Sequence, residues 1–298
     1  VSIGRGGGNS GQGLTSADKN AWYGSSNGVL NTTFRNADGT FAYDQIQELN
    51  EQSDCGSKMV MTKSKNFHNW YGLLSTYTTK IGQNIDFYGG IDFRYYKGVH
   101  TNEITDLYNG DYYTDTYYRS RVLPSRNAAA ADPNWKYEKL GIGDVVYRDY
   151  DGHVLQEGAF FQAEYNKNKL SAFVAGSLSN TGYWRVDRFY YDKAHEKSET
   201  LNFLGYTIKG GANYNLNDYH NVFFNVGYIS RAPFFSGGAF LQSTTSNDVN
   251  PDAINEKIFS AEIGYGFKSR TFTANLNAYF TKWLDKTTTR SSDYTTPD

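Results

Sequence analysis

The most regular feature of the chain is an alternation of apolar and polar side chains with a period of two. From Ile85 to Tyr95 the odd positions are apolar or glycine, whereas the even positions include Asp86, Asp92 and Arg94. A period of two places successive side chains on opposite faces of an extended strand. The pattern therefore predicts strands with one apolar face and one charged face, which separate two different solvents.

The same alternation recurs along the chain and predicts eight strands. The five prolines all lie outside the predicted strands, as the missing N–H of proline requires. The alternation is clearest in the last four strands and least regular in the first. The predicted strands span 67–80, 84–97, 156–166, 169–180, 201–216, 220–231, 256–267 and 270–284.

The connections between these strands alternate in length. Short turns close the hairpins at 81–83, 166–168, 217–219 and 268–269, whereas the segments 98–155, 181–200 and 232–255 are long. Short turns at one end and long loops at the other are typical of outer-membrane barrels, in which the short turns are periplasmic. A soluble β-sandwich shares the alternation, but it has no reason to segregate loop length in this way.

Strand length agrees with a membrane barrel. The segment from Leu204 to Leu216 rises about 30 Å at a tilt near 45°, which is about the thickness of a bilayer core, whereas ordinary strands have about 5–6 residues. The sequence therefore predicts an all-β fold. We expect an antiparallel, up-and-down transmembrane β-barrel segment with short periplasmic turns and long extracellular loops.

Composition supports a chain with one wet surface and one apolar surface. The mean hydropathy is −0.65, yet aromatic residues make up 17% of the chain, which is unlike a disordered segment. The net charge of −2 offers no basic surface for nucleic acid. The single cysteine, Cys55, provides neither an intramolecular disulfide nor a paired-cysteine metal site.

The chain divides into two parts. Residues 1–66 are polar and begin rich in glycine, so we expect an extracellular-type loop region with a short amphipathic piece at Tyr43–Asn50. Residues 67–298 form the partial barrel. Within the long segment 98–155, Asp149-Tyr150-Asp151-Gly152 lies between apolar runs. Asp-Gly in such a position predicts a hairpin turn.

Residues 220–284 carry a more specific pattern. An aromatic strand ends at Arg231-Ala232-Pro233, and after a long segment come Asn250-Pro251, then Glu256, then Glu262-Ile263-Gly264. This succession resembles the late barrel of TonB-dependent outer-membrane receptors. The resemblance is specific over 201–290, whereas over 67–200 it concerns only the general pattern of strands and loops. Within that part, Asp92–Lys97 is similar to receptors of the Bacteroidetes branch.

The resemblance implies more than these residues contain. Receptors of this family have barrels of about 22 strands and a plug domain, through which the parent receptor contacts TonB. Only eight strands are readable here, without a plug or closing strands, so we expect an open curved sheet. The resemblance also implies a bacterial outer-membrane location within the lipid bilayer. It implies TonB-energised uptake of a scarce solute (a siderophore, haem, cobalamin or glycan) and leaves open a surface lipoprotein partner.

Candidate catalytic groups are two sets of loop side chains: Asp149, Asp151 and His153, and Asp187, Asp192 and His195. Such pairs activate water in hydrolases, but no nucleophile motif accompanies them. The histidines also lack the spacing of a metal site. We therefore expect no enzyme, no catalytic residue, no metal and no cofactor. Two alternatives stay open: a passive porin or structural barrel, and a barrel enzyme that uses these Asp/His groups.

Ligand recognition is the better supported role for the long loops, which are rich in tyrosine and tryptophan. Aromatic rings with a polar tip provide rigid contact surfaces for a small molecule or an oligosaccharide, and neighbouring arginines suit an anionic group. The same rings could instead pack the loops together or form an interfacial aromatic belt. The candidate ligand-binding residues are Trp135, Tyr183, Trp184, Arg185 and Arg188.

Overall fold

The computed structural model describes residues 2–3, 36–241 and 247–288, and these form one antiparallel sheet with its strands in sequence order. Two helices lie in the connections, α1 (Tyr43–Glu51) and α2 (Thr116–Arg119), together with short 3-10 helices at Ala128–Ala131 and Trp135–Tyr137. The strands are β1 (Ser2–Ile3), β2 (Met61–Ile81), β3 (Ile85–Asp106), β4 (Val145–Lys167), β5 (Leu170–Asp187), β6 (Leu201–Asn215), β7 (His220–Arg231), β8 (Glu256–Lys268) and β9 (Thr273–Leu284).

Eight of these strands are long, and each pairs with its neighbour in sequence, which confirms the predicted up-and-down meander. The predicted alternation of connections is also confirmed. Two to four residues join β2 to β3, β4 to β5, β6 to β7 and β8 to β9, whereas 107–144, 188–200 and 232–255 are long. Within the described residues β9 pairs only with β8, so the sheet is open.

The first four long strands extend further than the sequence predicts. Strand β3 continues to Asp106, β4 begins at Val145 and β5 continues to Asp187. The predicted hairpin turn at 149–152 is therefore wrong. Tyr150 pairs with His100 on one side and with Asp187 on the other, so this stretch is the interior of a three-stranded ladder. Pairing on both sides overrides the local preference of Asp-Gly for a turn.

The two faces of the sheet differ as the alternation predicts. The face that we call apolar contains Ile91, Ile208, Ile263 and Leu276, whose exposed fractions are 56%, 57%, 63% and 72%. Their neighbours in sequence, such as Asp92, Lys209 and Glu262, lie on the opposite, polar face. These apolar side chains are not buried in a common core. A sheet of this kind needs a nonpolar surrounding on that face.

The apolar face has a visible upper limit. Glu157 pairs with Asn180, and both lie on the apolar face beside Phe93. Below this pair, toward the short turns, β3 has nine residues from Ile85 to Phe93. A tilted strand needs about 9–11 residues to cross a bilayer. The portions of β3 to β5 above Glu157 and Asn180 therefore extend beyond the band of exposed apolar side chains on this face.

The buried side chains lie mainly above this band, in and under the long connections. One cluster joins Ile46 of α1 to Met59 and Tyr108, and another contains Val60 and Tyr113. The short amphipathic piece predicted near Tyr43–Asn50 is confirmed as α1, whereas the glycine-rich start of residues 1–66 lies mostly outside the described residues. Strand β2 begins at Met61, six residues before the predicted domain boundary. Among the described residues no helix is long and apolar enough to cross a membrane.

Candidate functional site

A cavity of about 440 Å³ lies on the polar face, where the upper parts of β3, β4 and β5 meet the connection 232–255. Its walls combine aromatic rings with two basic side chains, which is the composition of many small-molecule sites. The residues that line it are Tyr96, Gly98, His100, Tyr150, Gly152, Val154, Arg185, Phe235, Ser236, Phe240 and Leu241.

Two glycines form the floor of this polar-face cavity. Gly98 and Gly152 are directly opposite each other in the β3–β4 ladder. A Cβ atom on Gly152 would lie 3.2 Å from Cζ of Phe235, and one on Gly98 would lie 3.2 Å from the Tyr96 ring. Side chains at these positions would fill the space between strands and loop. The glycine pair therefore keeps the cavity open.

Arg185 is the buried cation of the cavity. Its side chain is 4% exposed, and its guanidinium donates to Oδ2 of Asp187 at 2.9 Å. The guanidinium also lies 3.9 Å from the centre of the Tyr150 ring. Asp187 in turn accepts the backbone N–H groups of Phe189 and Tyr190. A buried ion pair needs its remaining hydrogen-bonding groups satisfied, and the backbone N–H groups do this for Asp187. Together these contacts fix the orientation of the Arg185 side chain.

His100 is the second basic group. Its Nδ1 is 2.7 Å from Oδ1 of Asn66, and its ring lies 4.8 Å from that of Tyr150. Burial first, and then the charges of Arg148 and Arg185, lower the pKa of His100 below its usual value. The imidazole is therefore neutral at neutral pH and offers a donor or an acceptor rather than a charge.

The connection 232–255 covers the cavity, and we call this part the roof. It is held in place by residues of the sequence pattern that resembles the receptor family. Arg231 donates to Oε2 of Glu256 at 2.8 Å across the two ends of the connection, and Glu256 is fully buried. Asn250 donates to the carbonyl of Gly238 at 2.9 Å. The sequence does not predict Arg231, Asn250 and Glu256 as site residues. Their spacing as Arg-x-Pro and Asn-Pro…Glu is the feature of the sequence that could have identified them.

The five predicted ligand-binding residues do not form one site. Arg185 lines the polar-face cavity, and Tyr183 lies beside its roof, where its hydroxyl donates to the carbonyl of Pro233 at 3.1 Å. Trp135 and Arg188 line a separate cavity of about 290 Å³ with Arg119 and Asp149. The prediction that residues 183–185 belong to a loop is wrong, because β5 continues to Asp187.

Trp184 lies on the opposite face from Tyr183 and Arg185, because successive residues of a strand alternate. Its ring lies 4.9 Å from that of His153, and the hydroxyl of Tyr95 is 2.8 Å from Nδ1 of His153. The Tyr71 ring continues this row on β2. An aromatic row just above the apolar face is typical of a membrane interface.

The Asp/His groups considered for catalysis are engaged in structural contacts. Asp149 and Asp151 together accept four hydrogen bonds from Arg188. Asp192 accepts from the backbone of Ala194 and lies 2.6 Å from the His195 ring. Within residues 36–241 and 247–288 there is no group of three acidic, histidine or cysteine side chains that could hold a metal ion.

No family model and no curated protein sequence matches the chain. Three similar solved structures belong to the family that residues 201–290 resemble. The unliganded ferric citrate transporter FecA has 12% identity over 76% of this chain, with a TM-score of 0.45. The copper transporter OprC has 14% identity over 74%, with a TM-score of 0.49. The ferric-catecholate import receptor Fiu of E. coli K12 has 13% identity over 76%, with a TM-score of 0.41.

The chain spans 28%, 30% and 32% of the length of these three structures. At this level of identity a likeness concerns the fold alone. The class of fold rests on the strand order, the register and the exposed apolar face of this chain. These define an open segment of an up-and-down barrel.

Proposed function

We propose that this chain is part of a bacterial outer-membrane receptor that takes up a scarce solute with energy transmitted by TonB. One observation carries the proposal. The same strands expose large apolar side chains on one face and hold a cavity with Arg185 and His100 on the other, under a fastened loop. Lipid would cover the exposed apolar side chains on one face, and a ligand would occupy the cavity on the polar face.

The proposed orientation follows from the loops. The long connections and the polar-face cavity would face the outside of the cell, and the short turns the periplasm. TonB would act on a plug region of the parent receptor, and a surface lipoprotein is a further partner of the parent protein. The barrel portion proposed for 67–298 begins in practice at Met61, and the remainder of 1–66 would belong to the extracellular side.

The cavity supports a small-molecule ligand or the end of an oligosaccharide. A volume of about 440 Å³ is within the range of drug-sized ligands. Tyr96, Tyr150 and Phe235 offer ring faces, and His100 offers a polar contact. Trp135 and Arg188 would form a second, smaller contact region, and Trp184 would contact the membrane interface rather than the ligand.

The test is uptake by cells that express the full-length receptor as the sole copy. The probes are radiolabelled ferric citrate, a ferric catecholate, copper, haem, cobalamin and a maltooligosaccharide, each with and without a protonophore. We expect accumulation of one probe, abolished by the protonophore, because TonB depends on the proton-motive force. Uptake that persists in the protonophore would indicate a passive porin instead.

A pair of glycine variants connects uptake to the cavity. Gly152→Val places methyl groups against Phe235 and should lower the apparent affinity for the transported probe about tenfold, equivalent to roughly 1.4 kcal/mol. Gly227→Val is the control, because Gly227 lies on the polar face of β7, where the atom nearest to an added Cβ is Cγ of the flexible Lys209 side chain at 3.4 Å, an ordinary van der Waals contact. Equal affinities in both variants would contradict the assignment of the cavity.

A further inference from the structure

Two of the long connections, 107–144 and 188–200, meet around one buried carboxyl group, that of Asp115. This residue precedes α2 and is 1% exposed. Its Oδ2 accepts a hydrogen bond of 2.8 Å from the backbone N–H of Tyr147. Its Oδ1 is buried and makes no hydrogen bond of good geometry among the described residues. Only one of the two oxygens therefore has a well-placed donor.

Tyr147 is held in an unusual backbone conformation at the start of β4. Its φ angle is +73°, in the left-handed region that a residue with a Cβ atom seldom adopts. Its carbonyl accepts a hydrogen bond of 3.1 Å from the hydroxyl of Tyr190, which is 1% exposed. The two peptide groups of Tyr147 are thus held by Asp115 from the connection 107–144 and by Tyr190 from the connection 188–200.

Charged and titratable groups surround this cluster on every side. Arg119 and the N–H groups of Tyr118 and Tyr147 favour the carboxylate of Asp115. Across the cluster, Asp187 lies near the Tyr190 hydroxyl and adds a second negative charge. Burial outweighs the favourable contacts and raises the pKa of Asp115 to about 6.

We propose that Asp115, Tyr147 and Tyr190 form a pH-sensitive latch that joins the connections 107–144 and 188–200 when the Asp115 carboxyl is protonated and loosens when it ionises. A carboxylate needs hydrogen-bond donors at both of its oxygens when it is buried, and the buried Oδ1 has none of good geometry. The neutral acid needs fewer donors and is therefore less destabilised there. On ionisation the proton passes to water, and the charged group gains hydration by opening. The latch lies on the extracellular side in the proposed orientation, but it does not depend on the identity of the transported solute.

The direction of the pH effect follows from linkage. The Asp115 carboxyl titrates at a higher pH in the folded latch than its ordinary value of 3.8. The folded state therefore binds the proton more tightly than the open state. The contribution to stability is complete below about pH 4 and is lost as the pH rises through about 6.

Hydrogen exchange of the full-length receptor in detergent tests the latch. The observable is the protection of the Tyr147 amide, corrected for intrinsic exchange, between pH 4.5 and pH 7.5. We expect protection to fall by at least about tenfold over this range in the unmodified protein. Asp115→Asn keeps an acceptor for Tyr147 but cannot ionise, so its protection should not depend on pH.

Two further variants keep the result interpretable. Asp144→Asn changes an exposed carboxylate of the same connection and should retain the pH profile of the unmodified protein. Tyr190→Phe removes the bond to the Tyr147 carbonyl and should lower protection at every pH without moving the midpoint. Protection that is independent of pH in the unmodified protein, or an unchanged profile in Asp115→Asn, would refute the latch. If Asp115→Asn did not fold, the profiles of the unmodified protein and Tyr190→Phe would still decide.

Discussion

At the scale of single residues, Asn50 illustrates how one polar side chain organises a loop region. It is 2% exposed, and its Nδ2 donates to the carbonyls of Met59 and Leu107, each at 2.8 Å. Its Oδ1 accepts the backbone N–H groups of Lys58 and Met59. The amide therefore joins α1, the segment before β2 and the end of β3.

Asn50→Ala should destabilise this region measurably. The substitution leaves several buried backbone groups without partners, and each such loss costs about 1–3 kcal/mol. We expect a lower thermal midpoint for the full-length receptor in detergent, followed by differential scanning calorimetry. Gln52→Ala is the matched control, because the Gln52 side chain is exposed and donates to Oε1 of Glu48, so its effect should stay within about 0.5 kcal/mol. Equal losses in the two variants would contradict the role of Asn50.

The candidate site shows what the sequence could and could not predict for individual residues. The sequence predicts Arg185 as a ligand-binding candidate, and the structure places it in the wall of the polar-face cavity. Its neighbour Trp184 is also a predicted candidate, but the strand geometry places the two side chains on opposite faces. The sequence predicts 181–200 as a loop, in which adjacent side chains can converge, whereas β5 continues to Asp187 and its adjacent side chains alternate. The residues that hold the connection 232–255, such as Asn250, belong to the sequence pattern that resembles the receptor family, but the pattern does not show which groups they contact.

At the scale of elements, alternation predicts a strand well only where its two faces meet different solvents. The predicted bounds of β7 agree with the structure, and those of β8 differ by one residue. Strand β3 was predicted to end at Lys97 but continues to Asp106. Above the Glu157–Asn180 pair the alternation disappears although the backbone ladder continues. Loop side chains cover the polar face there, and the other face carries the aromatic row of His153 and Trp184.

The assignment of faces makes a direct prediction for β6. Ile208→Arg places a charge on the apolar face, where it should cost about 2–4 kcal/mol near the middle of a bilayer. Thr207→Arg places the same charge on the polar face and should cost much less. Reversible unfolding of the full-length receptor in liposomes measures both values. Equal costs for the two variants would show that the apolar face does not contact lipid.

At the scale of the whole molecule, the open sheet presents two long edges. Nearly all of β2 on one side of the sheet, and β9 on the other, have a row of N–H and C=O groups without a strand partner among the described residues. Unpaired edges associate with other chains, and in lipid each unsatisfied group costs several kcal/mol. We expect the isolated 298-residue chain to aggregate in buffer without detergent, as size-exclusion chromatography would show. A water-soluble monomer would contradict the exposed apolar face.

The strand order has a consequence for the sequence of folding events. Every long strand pairs with its immediate neighbour, so each hairpin closes only a short turn. The hairpins then join one another across the long connections. The connections above the sheet obey a different order. Arg126 bonds to Asp248 across 122 positions, and Asn247 donates to the carbonyl of Glu196. Since these contacts include residues that follow β7 in the chain, we expect the loops above the sheet to close late and to reopen without the strands that support them.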